Sequence, residues 1–507
     1  MDTPVSQSIA VVVRGSPVLA VLIVIALLSG TSLVYNLYFH PLSIFSGPWY
    51  FAASDLPYAI TQLLGTSQYT LATAHARYGD VVRIGPNALT FTNPKAWDGL
   101  YGLRKGGIAA LPKDPLFYSE MLLGDETITR VSDTDAIPIR RAMNAAFAPK
   151  NLLLQESMLK EHIERLMSQL ATESEKSVNE GVDVRKWLTM SMFDINSHFS
   201  FGEDMGCVRN GKYHHWVQFV VDFFYAATLI HQCHKFWPLA PLLASLMPSS
   251  VQKAKAQHNE ASLDRVRRRM GQDDGDRTDF MHHFVRQAQR DNLSKDIIEA
   301  QASVVILAGS ETSGVGLTST VFQVLSHPTV YRRLCEEICT LFPTVADVTL
   351  LDTLNKLPFL HAVIWEALRI HAPLANGFTR VVPEMQKDFV AYDGVHLPAS
   401  TVVHINHYAI NTSPRNFRDP LAFIPERWLG DSKYKDDQRE AMQPFSVGPR
   451  NCPGRNFAMN NMKLAMVYLI MTFSMELCEG MQGWDQGQKI YNGWLQPPLM
   501  VRLRKRA

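Results

Sequence analysis

Charged residues vanish near the N-terminus. No Asp, Glu, Lys or Arg occurs between Arg14 and Asp55, and Val18 to Leu28 is apolar throughout. The apolar character resumes at Leu33, Val34, Tyr35, Leu37, Tyr38 and Phe39. About 20 apolar residues let a helix cross a bilayer. The pattern therefore predicts a short tail over residues 1–15 and a transmembrane helix over 16–39, with Tyr35, Tyr38 and Trp49 suited to an interfacial belt. A cleaved signal peptide is the alternative, with Ser29-Gly30-Thr31-Ser32 as its small-residue site. The apolar run continues past that site, which favours an anchor. Residues 40–50 contain Pro41, Gly47 and Pro48 and read as a stiff, non-helical joint. Residues 51–507 follow as the main domain.

Within that domain, His75 to Asn87 reads as a helix end, a turn and a strand, and Gly271 to Arg277 as a polar loop. The middle of the chain carries mostly helical periodicity. One helix is exceptional: from Ser294 as N-cap, apolar spacing runs to Leu325, and Pro328 forbids continuation. That is roughly 30 residues, or about 45 Å. Inside it lies Ala308-Gly309-Ser310-Glu311-Thr312-Ser313. A glycine, an acid and hydroxyls are costly at the centre of a buried helix. The segment is either a kink with a solvated acid or a site where the acid and hydroxyl handle protons. Further on, Glu366 and Arg369 are three apart and share a helix face with apolar flanks, so burial is expected.

Chemistry concentrates in Phe445-Ser446-Val447-Gly448-Pro449-Arg450-Asn451-Cys452-Pro453-Gly454, followed by an apolar run at helical spacing. Gly and Pro fix a loop, Gly448 and Gly454 would let backbone approach a flat group, and a helix start lowers the pKa of a nearby thiol. This is how a chain presents one thiolate to a metal; a buried structural cysteine is the alternative. The six cysteines show no zinc-type spacing and imply a reducing compartment. With 507 residues, 46% of them hydrophobic, the chain can bury a large core, and a net charge of +1 gives no bulk electrostatic case for nucleic acid.

The cysteine loop resembles the haem-binding loop of the cytochrome P-450 family, whose axial ligand is a cysteine thiolate. Ala308 to Ser313 resembles that family's oxygen-activation motif, and Glu366-Ala367-Leu368-Arg369 its Glu-x-x-Arg motif, all in the family's order. Likeness extends over nearly the whole chain and is nearest to fungal microsomal members of secondary metabolism, such as trichothecene-type terpenoid hydroxylases. The implied fold is mainly α with smaller β-sheets, a long central helix over haem and an N-terminal transmembrane helix. The resemblance implies Cys452 as the ligand of haem b iron, Gly309 as room over the haem, and Glu311 and Thr312 as the proton-delivering pair. Phe445, Gly448 and Gly454 would shape the haem loop. Arg140, Arg380 and Arg450 would bind the propionates. Glu366, Arg369 and Arg427, the last from Pro425-Glu426-Arg427-Trp428, would form a structural network behind the haem. Two departures stand out. Ala136 occupies a place where His or Trp is common, and Pro138 just before Arg140-Arg141 suggests that this helix starts late.

The implied activity is insertion of one oxygen atom of O2 into a lipophilic small molecule, probed by stretches near Tyr101–Ile128, Phe219–Leu229, Val304–Thr312, Gly377–Val382 and Tyr491–Leu495. Gly102 to Gly107 lacks a dinucleotide-loop context, so electrons are expected from outside the chain; the resemblance implies an NADPH-dependent flavoprotein reductase as their source, with cytochrome b5 as a further candidate. Arg140, Arg141, Arg332, Arg333, Arg455 and Lys463 are candidates for the docking face. The implied location is the endoplasmic reticulum membrane with the main domain cytosolic, although Arg14 before the span and no basic residue after it until Arg77 run against the positive-inside rule. A peroxide-using isomerase or dehydratase of the same family, and a non-catalytic haem protein, are the competing classes. The first usually lacks the acid–threonine pair retained here.

Overall fold

The computed structural model describes residues 17–103, 110–118, 126–177, 180–236, 240–245, 249–271, 279–386 and 388–506. The expected tail, most of the 271–277 loop and parts of the 101–128 stretch lie outside the described residues, as do the side chains of Phe219 and Phe223.

Helix α1 (Pro17–Val34) continues into a wider turn, Tyr35–Phe39. Val18–Phe39 forms a 22-residue apolar span of mean hydropathy 2.5. Val18, Val21, Leu22, Leu27 and Leu28 all project outward, an apolar surface suited to lipid. Asn36 Nδ2 donates to Ala53 O at 3.0 Å and ties the span to the domain. The joint is more helical than its prolines suggest. Pro41–Ile44 makes a 3-10 turn because His40 Nδ1 accepts the Leu42 amide at 3.1 Å, and Trp49–Ala53 is already a short helix. Proline is compatible with a first helical position, where its missing N–H has no partner to lose.

Helix α2 (Asp133–Ala146) corrects another expectation: it starts early and runs through Pro138. Ser132 caps it by accepting the Asp135 amide at 3.2 Å, and Asp133 and Asp135 lie in the first turn, where acids favour the helix dipole. Helices α3 (Val184–Phe201) and α4 (His215–His234) precede the central helix α5 (Lys295–Ser326). Its 32 residues match the sequence expectation, with Ser294 accepting the Ile297 amide at 3.3 Å. It packs on α3, α6 (Pro358–Ile370) and α7 (Arg455–Thr472). Neighbours on several sides explain why α5 is apolar around most of its circumference.

Strands β1 (Val81–Gly85), β2 (Ala88–Phe91), β3 (Arg380–Val381) and β4 (Val402–Ile405) form a sheet in the order β1-β2-β4-β3. β2 and β4 are parallel, with Leu89 opposite Val403; the other pairs are antiparallel. Arg380 faces Val403 in that register, which sets it at the sheet end nearest the cysteine loop's arginines.

Behind the loop lies a buried charge network. Glu366, Arg369 and Arg427 have no exposed surface. Glu366 accepts from Arg369 Nε and Nη2 at 2.9 and 2.8 Å, from Arg427 Nε at 2.9 Å, from Trp428 Nε1 at 2.8 Å and from the Ile424 amide at 3.0 Å. Arg369 also donates to the carbonyls of Asn411, Pro420 and Ala422. Asp437, which the sequence reading missed, pairs with Arg427 and makes the cluster two cations against two anions. Burial pushes the Glu366 carboxyl up, but Arg369, Arg427 and the Ile424 amide hold it below its ordinary 4.5. A depressed carboxyl stabilises the fold above its unfolded value, and the contribution is lost as pH falls through the lower folded value. Glu366→Gln would leave Arg369 without a carboxylate and Arg427 with Asp437 alone, so a loss of about 3–5 kcal/mol is expected. Thermal denaturation checks it; a melting temperature equal to wild type would show that the carboxylate's charge is not needed.

Candidate active site

The cysteine loop is shaped by backbone contacts. Phe445 O accepts the Cys452 amide at 2.8 Å, and Gly448–Arg450 makes one 3-10 turn. Gly448 has φ +73°, and a Cβ there would stand 2.0 Å from Tyr101 O. Its glycine is therefore demanded by the Tyr101 backbone, which the sequence reading attributed to a flat cofactor. A Cβ at Gly454 would meet Cys452 Sγ and the Phe147 ring at an ordinary 3.9 Å. Arg455 lies over the rings of Trp365 and Phe445, at 5.3 and 5.7 Å, and joins α6 to the loop. Cys452 retains accessible surface although protein surrounds it, so that surface belongs to an internal hollow. Burial raises the thiol pKa; the Gly454 amide, Arg140 and Arg455 act the other way without reversing it. The expected lowering by the helix start is thus outweighed by loss of water around the sulfur.

Helix α5 offers a matching stripe. Ala308, Gly309 and Thr312 keep accessible surface, whereas residues 301–307, Ser310, Glu311 and 313–324 are buried. Spacing of four residues places Ala308 and Thr312 on one helix face, with Gly309 at its edge. Thr312 Oγ1 donates to Ala308 O at 2.6 Å. Glu311, one residue earlier, points elsewhere. It is buried, Oε2 has no hydrogen-bond partner among the described residues, and burial raises its pKa against the opposing charge of Arg185. Tyr213 also feels Glu311 and Arg185, and its buried hydroxyl has no partner. At Gly309 the room expected over a cofactor is partly taken: a Cβ would lie 2.9 Å from Asn196 Nδ2 and Oδ1. Asn196, on α3, donates to Val305 O at 2.9 Å, Ile306 O at 3.0 Å and Ser310 Oγ at 3.0 Å. It bonds α5 where the glycine leaves space.

Cations gather beside the loop. Arg450 donates to Asp133 Oδ1 at 2.7 Å and to the Ile128 and Val131 carbonyls. Arg140 donates to Asn451 O and Oδ1. Arg380 is buried, donates to Tyr118 Oη at 3.1 Å and lies 5.0 Å from the Tyr101 ring centre. The sequence reading missed Lys113, which lies in the first substrate stretch next to Asp114. Its ammonium donates to Ile128 O at 2.8 Å and Thr129 O at 2.6 Å. Burial, with Arg450 and Arg380 adding, lowers its pKa to about 6 against Asp133. Lys113, Arg380 and Arg450 thus share Asp133 as the acid facing Lys113, an arrangement that suits added anions. Of the basic residues expected on a docking face, Lys463 is buried and donates to Leu354 O at 2.9 Å, Arg141 pairs with Asp291 and Arg333 with Glu426.

A largely helical fold with small sheets and an accessible cysteine in the loop before α7 fits a haem-thiolate oxygenase, and the chain belongs to the cytochrome P450 family, whose family model matches residues 60–503. It is 41% identical over 474 residues to cytochrome P450 monooxygenase astD of Aspergillus oryzae, covering 94% of this chain and 91% of that protein. It is 34% identical to cytochrome P450 monooxygenase astA of Talaromyces wortmannii, covering 94% of each. Identity with the trichothecene C-15 hydroxylase of Fusarium sporotrichioides is 33%, covering 94% and 98%. The chain is therefore an oxidoreductase that incorporates oxygen, with a monooxygenase role in secondary metabolism, and its cofactor is haem. The residues present fit that group: an accessible thiol, accessible small residues at the centre of α5, and a cluster of basic side chains with one acid.

Gly309→Ala is expected to destabilise the protein by roughly 1–3 kcal/mol through overpacking against Asn196. Asn196→Ala should itself destabilise, and the double variant should lose less than the sum. Additive melting shifts would show that the two residues do not share this space.

Proposed function

We propose that residues 51–507 form a haem-thiolate catalytic domain, that 16–39 anchor it, and that it inserts one oxygen atom of O2 into a lipophilic secondary metabolite of terpenoid or polyketide type. The observation that carries this reading is the accessible Cys452 sulfur, together with the accessible Ala308, Gly309 and Thr312 of α5 and the Lys113–Arg380–Arg450 cluster. Cys452 would ligate the iron. Arg380, Arg450 and Lys113 would hold the propionates, with Lys113 making up for the contact that Ala136 cannot supply. Arg140 would act mainly by fixing Asn451 next to the cysteine. Glu366, Arg369 and Arg427 would hold the loop's support without touching substrate. When bound, haem supplies the activation of dioxygen. Thr312 and Glu311 would order water and move protons toward the hollow, the acid helped by its raised pKa. Electrons would come from an NADPH-dependent flavoprotein reductase, with cytochrome b5 as a second donor. The domain would lie on the cytosolic side of the endoplasmic reticulum membrane.

In Cys452→Ala, the red-shifted Soret band of the reduced carbon monoxide complex should be lost; its retention would remove Cys452 as ligand. Thr312→Ala should keep haem and substrate binding but divert NADPH electrons to hydrogen peroxide, and Glu311→Gln should slow turnover. The readout is product formed per NADPH consumed, with peroxide assayed in parallel. Unchanged ratio and rate in both variants would leave the pair as a helix feature only. Product formation independent of NADPH would favour the isomerase or dehydratase class.

Topology has its own reporter. Asn292-Leu293-Ser294 and Asn411-Thr412-Ser413 are both glycosylation sequons. Asn411 is fully buried, so only exposed Asn292 reports. It should remain bare in a cytosolic domain; endoglycosidase-sensitive mass at Asn292 would place the domain in the lumen.

A further inference from the structure

Helix α6 has a face that the buried charge network does not use. His361 and Trp365 lie four residues apart on it. Their rings are stacked, with centres 5.2 Å apart and planes 21° from parallel. His361 is exposed and Trp365 half-buried. The Trp365 ring lies 6.0 Å from that of Phe445, with 30° between the planes. Phe445 opens the cysteine loop, and its carbonyl accepts the Cys452 amide at 2.8 Å. A continuous series of contacts therefore leads from the surface through His361, Trp365 and Phe445 to the backbone of the cysteine.

Arg455, the first residue of α7, adds charge to this series. It is exposed, and its guanidinium carbon lies 5.3 Å from the Trp365 ring centre and 5.7 Å from that of Phe445. Both are cation–π distances. Burial, with the charges of Lys463 and Arg455, lowers the pKa of His361 to about 4, so its ring is neutral at physiological pH. The carboxylate of Glu337, at the start of α6, is taken up by the Phe359 and Leu360 amides at 2.8 and 2.9 Å. The charge that His361 and Trp365 feel is therefore positive.

Electrons cross protein by tunnelling, and the rate falls steeply as the gap through saturated chain lengthens. Aromatic rings in contact shorten that gap. A cation beside them lowers the energy of negative charge on the path and draws acidic groups of a docking partner to the surface around it. The donor expected for this chain is a separate protein, so its electrons must enter at a point that is both exposed and connected to the site. His361 and Trp365 meet both conditions.

We propose that Trp365, stacked on the exposed His361, is the point at which electrons from the flavoprotein donor enter, passing by Phe445 to the cysteine loop. The inference rests on the monooxygenase reading above and names the residues that connect the electron donor to the site. In each transfer the donor's reduced flavin loses one electron and the ferric haem iron gains it. No bond forms or breaks in the protein, and the rings serve as a bridge without themselves changing oxidation state. Trp365 acts through Phe445 and is a positioning residue.

The test needs no knowledge of the substrate. The full-length, haem-loaded protein would be mixed anaerobically with a microsomal NADPH-dependent flavoprotein reductase in buffer saturated with carbon monoxide. Growth of the reduced carbon monoxide band after addition of NADPH times the first transfer. Trp365→Leu should slow it several-fold, Trp365→Phe should keep most of the rate, and His361→Leu should fall between them. The midpoint potential of the iron and the affinity for the reductase should stay at wild-type values, which a general disturbance of the loop would not leave unchanged. His361 is exposed, so His361→Leu carries the test should Trp365→Leu fail to take up haem. Reduction at the wild-type rate, or a slowing that a lowered potential or a weaker complex accounts for, would overturn the route. A wild-type protein that shows the haem spectrum but is not reduced by the reductase would overturn the donor assignment, and the route with it. A wild-type protein without that spectrum would overturn the haem reading itself.

Discussion

Two guanidiniums cannot be carried out of water without carboxylates to meet them, and that constraint organises the region behind the cysteine loop. The effective penalty for burying an ion is several kcal/mol, so the cluster is tolerable only if its geometry leaves no donor unused. Glu366 meets both arginines and also accepts Trp428 and the Ile424 amide; Arg369 reaches three carbonyls of the 411–422 segment; Arg427 closes on Asp437. Satisfying all of them fixes α6 against two segments of irregular chain that have no sheet to hold them. Trp365, beside Glu366 on the same helix, faces Phe445 and Arg455 instead. Helix α6 thus meets the charge cluster on one side and, through Trp365, the start of the cysteine loop on another.

Features set by neighbours in sequence were legible from the sequence. Ser294 as a cap, Pro328 as a stop and unbroken apolar spacing between them fix the central helix to within a residue. A run of apolar residues without charge fixes the span at Val18–Phe39. Glu366 and Arg369 were readable as a pair because three residues separate them on one helix. Features that need two distant segments were not legible. Nothing near Gly309 shows that Asn196 will fill the space beside it, and nothing near Arg427 points to Asp437. Pro138 misled for a related reason: a proline weakens a helix locally, but the strength of the Ser132 cap depends on side-chain geometry that spacing alone does not give.

The cysteine loop shows the same division. Its glycines were read as accommodating a cofactor. Gly448 instead accommodates the chain itself, at Tyr101, and Tyr101 lies under Arg380. The backbone crossing that requires the glycine therefore also brings the sheet's arginine toward the loop. Lys113 joins them through the Ile128 carbonyl, which Arg450 also uses. Three basic side chains from three distant segments converge, two of them on one carbonyl, with Asp133 as the acid they share.

The distal wall is governed by the 100° turn between consecutive helix residues. Glu311 and Thr312 are adjacent, so they cannot face the same way. Thr312 lies on the stripe with Ala308, open to the hollow, and its hydroxyl is held by Ala308 O. Glu311 is carried round toward α3, where Arg185 and Tyr213 are the groups that feel its charge. Burial raises its pKa, and the raised value brings its titration closer to neutral pH, where a carboxyl both gives and takes a proton. Arg185 opposes the shift without reversing it. In the proposed role the two residues are then not interchangeable. The hydroxyl can order water at the reacting face, whereas the acid must collect protons from the side away from it. A relay built this way crosses the thickness of the helix within two residues, and its inner and outer ends are set by helix geometry before any substrate arrives.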